Sequence, residues 1–361
     1  MAASAKVYGI DPGTMFFQVA EPDPADPDNA VIKIIRNSFV AMDETDDIED
    51  QLKLNGWDYI KDGKQYYIFG EDSLRVANMF PGVELRRPLA GGVLNQGEEK
   101  KMLVLTEMVR RSIGRAPTND SVVCTCVSSE SADQSADSKF HRARLQGIFQ
   151  SLGWHVKVID EAFAVILSER PTMTVEGKEV PYSGIGVSFG AGRVNLVFAY
   201  QGKQVDGLGM SVARSGDWID AKSAEATGEP IAQITRKKEK ELDFTNPNLE
   251  DDKIFALITY YREAIRYAFS KFAAKIRSLD KKPNFEAPLD IIVAGGTSMP
   301  KGFCDIVEEE VLELDLPFSI KSVKHASDPR NAVVKGCLIQ AQITQRKLQT
   351  DKGKELEASL G

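Results

Sequence analysis

The chain has 361 residues, enough for two or three units at roughly 150 residues per domain, and 42% of it is hydrophobic, sufficient to fill their cores. Its 45 basic residues stand against 53 acidic ones, and a net charge of −8 argues against a general nucleic-acid footprint, so no direct nucleic-acid binding is expected. Cys124, Cys126, Cys304 and Cys337 form no Cys-x-x-Cys pair and read as reduced, buried thiols, while the scattered His141, His155 and His325 lack zinc-ligand spacing. The opening MAASAKVYGID has no leader-like pattern and is too short and small for an anchor, and no run of about 18 apolar residues occurs, so a cytoplasmic chain without membrane insertion is expected.

In chain order, Lys6 to Ala20 alternates apolar residues around Asp11-Pro12-Gly13-Thr14, which predicts a hairpin. The Asp- and Pro-rich residues 21–29 read as a loop before a strand at Val31–Ile35, and a small strand-rich unit that includes Gln65–Gly70 extends to about Asn78. Met102, Leu105, Met108, Val109 and Ile113 fall at helical spacing in Lys100–Ile113. A strand at Ser121–Val127, a helix near His141–Leu152 and a strand at Val156–Ile159 follow, the order of an α/β layer. The second half repeats the opening: Ile185–Val187, a break at Gly190-Ala191-Gly192, and an alternating strand at Val194–Tyr200. Residues 222–252, with the charged run from Arg236 to Glu241, read as helices and loops of a smaller, exposed unit. A long helix over Asp252–Leu279 carries an apolar stripe of Phe255, Ile258, Tyr261, Ile265, Phe269, Phe272 and Ile276. The apolar strand Leu289–Val293 ends in Ala294-Gly295-Gly296-Thr297-Ser298 before a helix near Gly302, and Gln345–Gly361 reads as a frayed helix or disordered tail.

A phosphate needs converging backbone N–H donors with no Cβ in the way, and a glycine at a hairpin tip provides that concavity. Gly13 and Thr14 qualify, as do Gly190, Ala191 and Gly192. Asp11 beside the first tip is placed to hold a hydrated Mg2+, usually through water. Alone, Asp-x-Gly-Thr also suits a hairpin turn that uses these residues for conformation only.

The order of these features, over residues 6 to 342, resembles the superfamily of actins, sugar kinases and heat-shock-chaperone ATPases, and most closely the prokaryotic actins of the MreB and ParM type. Gly9-Ile10-Asp11-Pro12-Gly13-Thr14 resembles the first phosphate loop. Arg87-Pro88-Leu89-Ala90-Gly91-Gly92-Val93, followed by Thr106-Glu107-Met108, resembles the MreB stretch before its helix. Val158 to Ala164 is similar to the segment joining the halves, which implies that Glu161 orients the water attacking the γ-phosphate. The resemblance extends to Ser215-Gly216-Asp217, with Asp217 and Lys237 on the adenine side, and to Ala294 through Met299 as the adenosine loop, with Gly295, Gly296 and Thr297 against the nucleoside. One departure stands out. The family's second loop usually begins with aspartate, whereas this chain reads Ser188-Phe189-Gly190-Ala191-Gly192-Arg193; Ser188 can bond a phosphate or a water but brings no charge, and Arg193 either reaches a phosphate or faces solvent.

The resemblance implies an α/β actin-like fold: 1–32, 78–165 and 325–344 as a first large unit with 33–77 as its smaller part, 166–220 and 286–324 as a second with 221–285 as its smaller part, and 345–361 as a polar tail. It implies Mg-ATP or ADP in the cleft, slow ATP hydrolysis through Glu161 and Asp11, and self-assembly into filaments; a cargo or adaptor is unspecified. Two other classes stay open, a monomeric chaperone-like ATPase or adaptor and a scaffold that binds nucleotide without turnover, the latter prompted by Ser188. A sugar kinase ranks last because no sugar-pocket insertion is found.

Overall fold

The computed structural model describes residues 4–26, 29–133, 138–169, 172–175, 178–280, 283, 285 and 287–360. Two five-stranded sheets share one topology. In the first, Val7–Pro12 pairs antiparallel with Phe16–Pro22, which pairs antiparallel with Ala30–Arg36. On its other side Val7–Pro12 runs parallel to Val122–Val127, itself parallel to His155–Asp160. In the second, Gly184–Phe189 heads the antiparallel series Val194–Tyr200 and Lys203–Val212, and runs parallel to Leu289–Ala294, which is parallel to Ile320–His325. Val122–Val127 and Gly184–Phe189 are buried at every position, as strands covered on both faces must be.

Helices carry the chain between the parallel strands: Ser138–Ser151 in the first half, and Gly216–Thr227, Ile231–Glu241, Asp252–Arg277 and Phe303–Leu312 in the second. The amphipathic Lys101–Ile113 buries Val104, Leu105, Met108, Val109 and Ile113. Between Ala30–Arg36 and this helix, Phe39–Asp43, Gln65–Phe69 and Tyr59–Asp62 form a small sheet with its own apolar cluster around Val40, Leu52, Tyr66 and Ile68.

Several expectations need correction. The stripe of the long helix begins at Ile254, not Phe255: Asp251 caps the helix by accepting from Lys253 N and Ile254 N, and Phe255 is 57% exposed, one position off the Ile254, Leu257, Tyr261 and Ile265 face. Cys124, Cys126 and Cys337 are buried, but Cys304 is only half-buried. Of the two readings given for Gln345 onward, helix or disordered tail, the structure has the helix, as part of Ala332–Leu360. The strands Lys203–Val212 and Ile320–His325 have no counterpart in the sequence reading because both are edge strands with exposed lysines and little alternation.

Two helices, Glu161–Glu169 and Ala332–Leu360, separate the sheets. Ala332–Leu360 packs on Val7–Pro12 and Val122–Val127, Glu161–Glu169 packs on Gly184–Phe189 and Val194–Tyr200, and the two pack on each other. One cluster accordingly joins Ala162, Val165 and Ile166 to Val334 and Cys337, and to Val122 and Val197 of the two sheets. The layer is thin because glycines stand at the crossings: a Cβ at Gly336 would collide with Ala164 O, one at Gly186 with Ala162 O, and one at Gly9 with Leu338 N and Val334 O.

Two expectations follow from this packing. Gly336→Ala should lower stability by about 1–3 kcal/mol, since its obstacle is backbone, whereas Gly147→Ala, on the exposed face of Ser138–Ser151 with nothing near, should raise it by about 0.5–1 kcal/mol; denaturant titration of both reads the contrast.

The second concerns His141, which is 1% exposed and accepts a hydrogen bond from Leu94 N at its Nδ1 (3.2 Å). Burial, reinforced by the Arg142 charge, pushes it from 6.5 down to about 4. The unfolded chain therefore takes up the proton first, so this contribution is whole above pH 6.5 and lost as pH falls toward 4. Between pH 7 and 4.5 the native protein should lose about 2–3 kcal/mol more than His141→Gln, which keeps an acceptor without the titration; melts at the two pH values measure it.

Candidate functional site

The two hairpins of equivalent position bring their tips together. The Asp11 to Met15 turn is braced by Asn37, whose Nδ2 donates to Gly13 O (2.8 Å) and whose N donates to Met15 O (3.0 Å). The second tip is braced from the opposite side: Ala191 O accepts from Asp217 N (2.8 Å) and Ser215 Oγ (2.6 Å), and Gly190 O accepts from Gly216 N (3.1 Å) and Thr297 Oγ1 (2.9 Å). Between the tips runs the Gly91-Gly92 turn, and Gly92 N donates to Thr14 Oγ1 at 3.1 Å. A Cβ at Gly192 would strike Thr14 Oγ1 and Gly92 N, so only glycine lets the tips approach this closely. Gly295 has φ +102 and its missing Cβ would fall on Phe189 O, which seats the Gly295, Gly296 and Thr297 turn on the second hairpin. Ser188 lies in that hairpin, 3% exposed and in register with Ala294.

Glu161 starts its helix at the floor between the tips. Its Oε1 accepts from Ser128 Oγ (3.0 Å) and its Oε2 from Asn195 Nδ2 (2.9 Å), so one carboxylate is held by both halves of the chain. Asp11 accepts from Cys126 Sγ at 3.4 Å. Burial pushes both carboxyls upward, Asp11 to about 6 and Glu161 to about 8, and the charge of Asp11 is the second cause for Glu161.

Arg193 neither faces solvent nor is confined to its own hairpin. It is 2% exposed; Nε donates to Ser211 Oγ (2.8 Å), Nη2 to Ser131 Oγ (2.6 Å) and Asp133 Oδ1 (3.1 Å), and Nη1 to Gly91 O (3.3 Å). Asp217 meets Arg87 across the cleft at 3.2 Å, a half-exposed pair. Burial raises the Asp217 carboxyl and Arg87 opposes that shift. Lys237 is not brought to these loops: it pairs with Glu241 and Asp251, both at 2.7 Å. Its neighbour Lys238 points toward them instead, reaching Gly216 O (3.4 Å) and Asp220 (2.7 Å), because a one-residue step on a helix turns the side chain by about 100°.

Sequence reasoning missed Gln18, Asn195, Arg87 and Lys238. For Gln18 and Asn195 the signal was a lone polar residue at an inward position of an apolar strand, in FFQVA and VNLVFAY. Gln18 also bears on which group the site could hold: its Oε1 is buried without a partner, next to the Asp11 strand. A carboxylate and a spare amide oxygen are hard donors that suit Mg2+, and the backbone N–H groups of glycine-bearing hairpin tips suit a phosphate chain.

The two arginines should separate on substitution. Arg193→Ala breaks a buried ion pair with Asp133 and the bonds to Ser211, Ser131 and Gly91, and is expected to cost about 3–5 kcal/mol, whereas Arg87→Ala removes a half-exposed pair worth less than about 1 kcal/mol; equilibrium unfolding in urea distinguishes them.

The family described as Volactin matches the chain over residues 6–341. No curated protein matches it. Among solved structures, the chain is similar to MreB 5 of Spiroplasma citri bound to AMPPNP, with TM-score 0.63 and 13% identity over 97% of this chain and 99% of that one. It is similar to a MamK double helical filament, with TM-score 0.58 and 16% identity over 94% and 99%. A non-polymerising MamK mutant bound to AMPPNP gives TM-score 0.56 and 17% identity over 94% and 100%. The fold is therefore actin-like, as the glycine motifs implied.

Proposed function

The chain belongs to the Volactin family, and on that footing we propose that it is an actin-like cytoskeletal protein that binds Mg-ATP between its two hairpins, polymerises, and hydrolyses ATP slowly. The observation that carries this reading is the meeting of Gly13-Thr14 and Gly190-Ala191-Gly192 above Glu161 and Asp11, with Gly295–Thr297 seated on the second hairpin. The AMPPNP in two of the similar structures and the filament formed by MamK support it.

In this reading the amides of both tips grip the phosphates, Asp11 and its surroundings hold Mg2+, and Gly295, Gly296 and Thr297 lie along the nucleoside, with Lys238 rather than Lys237 on the adenine side. Bound Mg2+ supplies neutralisation of the phosphate charge. Glu161 orients the attacking water. Each of its oxygens already accepts one hydrogen bond and keeps a further lone pair for the water. Because Asn195 belongs to the second hairpin and Ser128 to the first half, movement of the halves re-aims Glu161, which couples the cleft to chemistry. The division into two large units with 33–77 and 221–285 as their smaller parts belongs to the same proposal. Self-assembly is head to tail, a heterologous contact that does not close.

A scaffold that binds nucleotide without turnover is the second reading, favoured by the uncharged Ser188 at the cation side. High-speed sedimentation with phosphate release, in Mg-ATP, Mg-ADP and no nucleotide, decides between them. The expected result is nucleotide-dependent polymer with slow release that Glu161→Gln reduces by about 10²-fold or more while polymer still forms. Polymer without release would install the scaffold reading, and nucleotide binding without polymer would install a monomeric ATPase.

A further inference from the structure

Gln18 and Asp11 are register partners in the opening hairpin, so their side chains leave the same face of the sheet about 5 Å apart at Cβ. Gln18 is 5% exposed. Its Nε2 donates to Arg330 O at 3.4 Å, and this sets the amide's orientation, since the flipped amide would put oxygen against oxygen. The other end, Oε1, is buried with no hydrogen-bond partner. Asn331, the residue after the one holding Gln18, also keeps a buried, unpartnered Oδ1, while its Nδ2 donates to Asp328. Asn37, which braces the same hairpin tip through Gly13 O, keeps a third such oxygen; of the three, Gln18 Oε1 is the one whose residue is the register partner of Asp11. Buried polar atoms without partners are uncommon in folded proteins and call for a ligand, water or ion.

We propose that Gln18 is a further cation-side residue of the cleft, its Oε1 accepting a hydrogen bond from a water in the hydration shell of Mg2+ held at Asp11; this rests on the nucleotide-binding reading above. Mg2+ gives up its waters reluctantly and is typically held by one or two carboxylates together with phosphate oxygens, so its remaining waters need acceptors. Ser188 supplies no second carboxylate, and Gln18 is the acceptor placed directly across from Asp11. An amide there orients the shell without adding charge. Gln18 is a positioning residue, acting on the cation through water.

The test is a Mg2+ titration with a fluorescent ATP analogue held at fixed concentration, on the full chain and on Gln18→Leu and Gln18→Glu, with a parallel nucleotide titration in EDTA. Loss of one hydrogen bond to a charged shell should raise the half-saturating Mg2+ for Gln18→Leu by about 5–10-fold, with affinity for metal-free nucleotide unchanged within about twofold. Gln18→Glu, which adds a charge in the same place, should lower the half-saturating Mg2+; if Gln18→Leu does not fold, this variant decides alone. The proposal is overturned by an unchanged midpoint in the variants, or by equal weakening with and without metal, which is what a merely structural glutamine would give. Nucleotide binding by the native chain that is indifferent to Mg2+ overturns this inference alone. Failure of the native chain to bind nucleotide under any condition overturns the nucleotide-binding reading and this one with it.

Discussion

The separation of the two sheets is set by backbone meeting backbone in the helical layer between them. Ala162 O and Ala164 O lie where side chains at Gly186 and Gly336 would otherwise stand, and Gly9 makes the matching concession to Ala332–Leu360. Packed interiors transmit such constraints because they have little free volume to absorb them. Val7–Pro12 and Gly184–Phe189, the strands that lie against this layer, are also the first strands of the two hairpins. The distance between the hairpin tips is therefore decided by three missing methyl groups well below them. A thicker layer would carry Gly192 away from Thr14 and leave Glu161 attached to only one half.

Above that layer the halves are joined by polar contacts, and these are unequal. One set is buried: Arg193 ties the second hairpin to Gly91, Ser131 and Asp133, and the backbone of residues 130–132 continues the edge of the second sheet through Ser211 N to Glu130 O and Ala132 N to Ser211 O. The other is the half-exposed Arg87–Asp217 pair. Buried charge-assisted bonds are hard to replace with water, whereas exposed ones exchange readily. The Arg87–Asp217 contact is therefore the one that solvent replaces more readily. Glu161, gripped by Ser128 and Asn195, is a further contact shared by the two halves.

How much of this was visible in the sequence depended on whether the signal was local. Both hairpins, the buried strands and the long helix follow from alternation, glycine placement and helical period, all readable within a dozen residues. The roles of Thr14 and Gly192 were legible as turn chemistry, but their contact was not, since it joins residues 178 positions apart (192 less 14). Lys237 and Lys238 show the limit well. Composition marks the whole run as a solvated basic face, and only the phase of Ile231–Glu241, fixed by burial of Ile234, selects which lysine turns inward. Arg193 was ambiguous for a similar reason: its partners Ser131, Asp133, Ser211 and Gly91 come from three distant segments.

The serine at position 188 acquires a physical meaning from the same geometry. The Asp11 charge already raises the Glu161 carboxyl, on top of the burial that raises both. A third carboxylate at Ser188, itself 3% exposed, would add like charge in low dielectric and push all three further up. With Ser188 no third buried carboxyl joins Asp11 and Glu161, and Ser128, Asn195 and Cys126 each donate to that pair. Serine at 188 therefore spares the two raised carboxyls the repulsion of a further buried one.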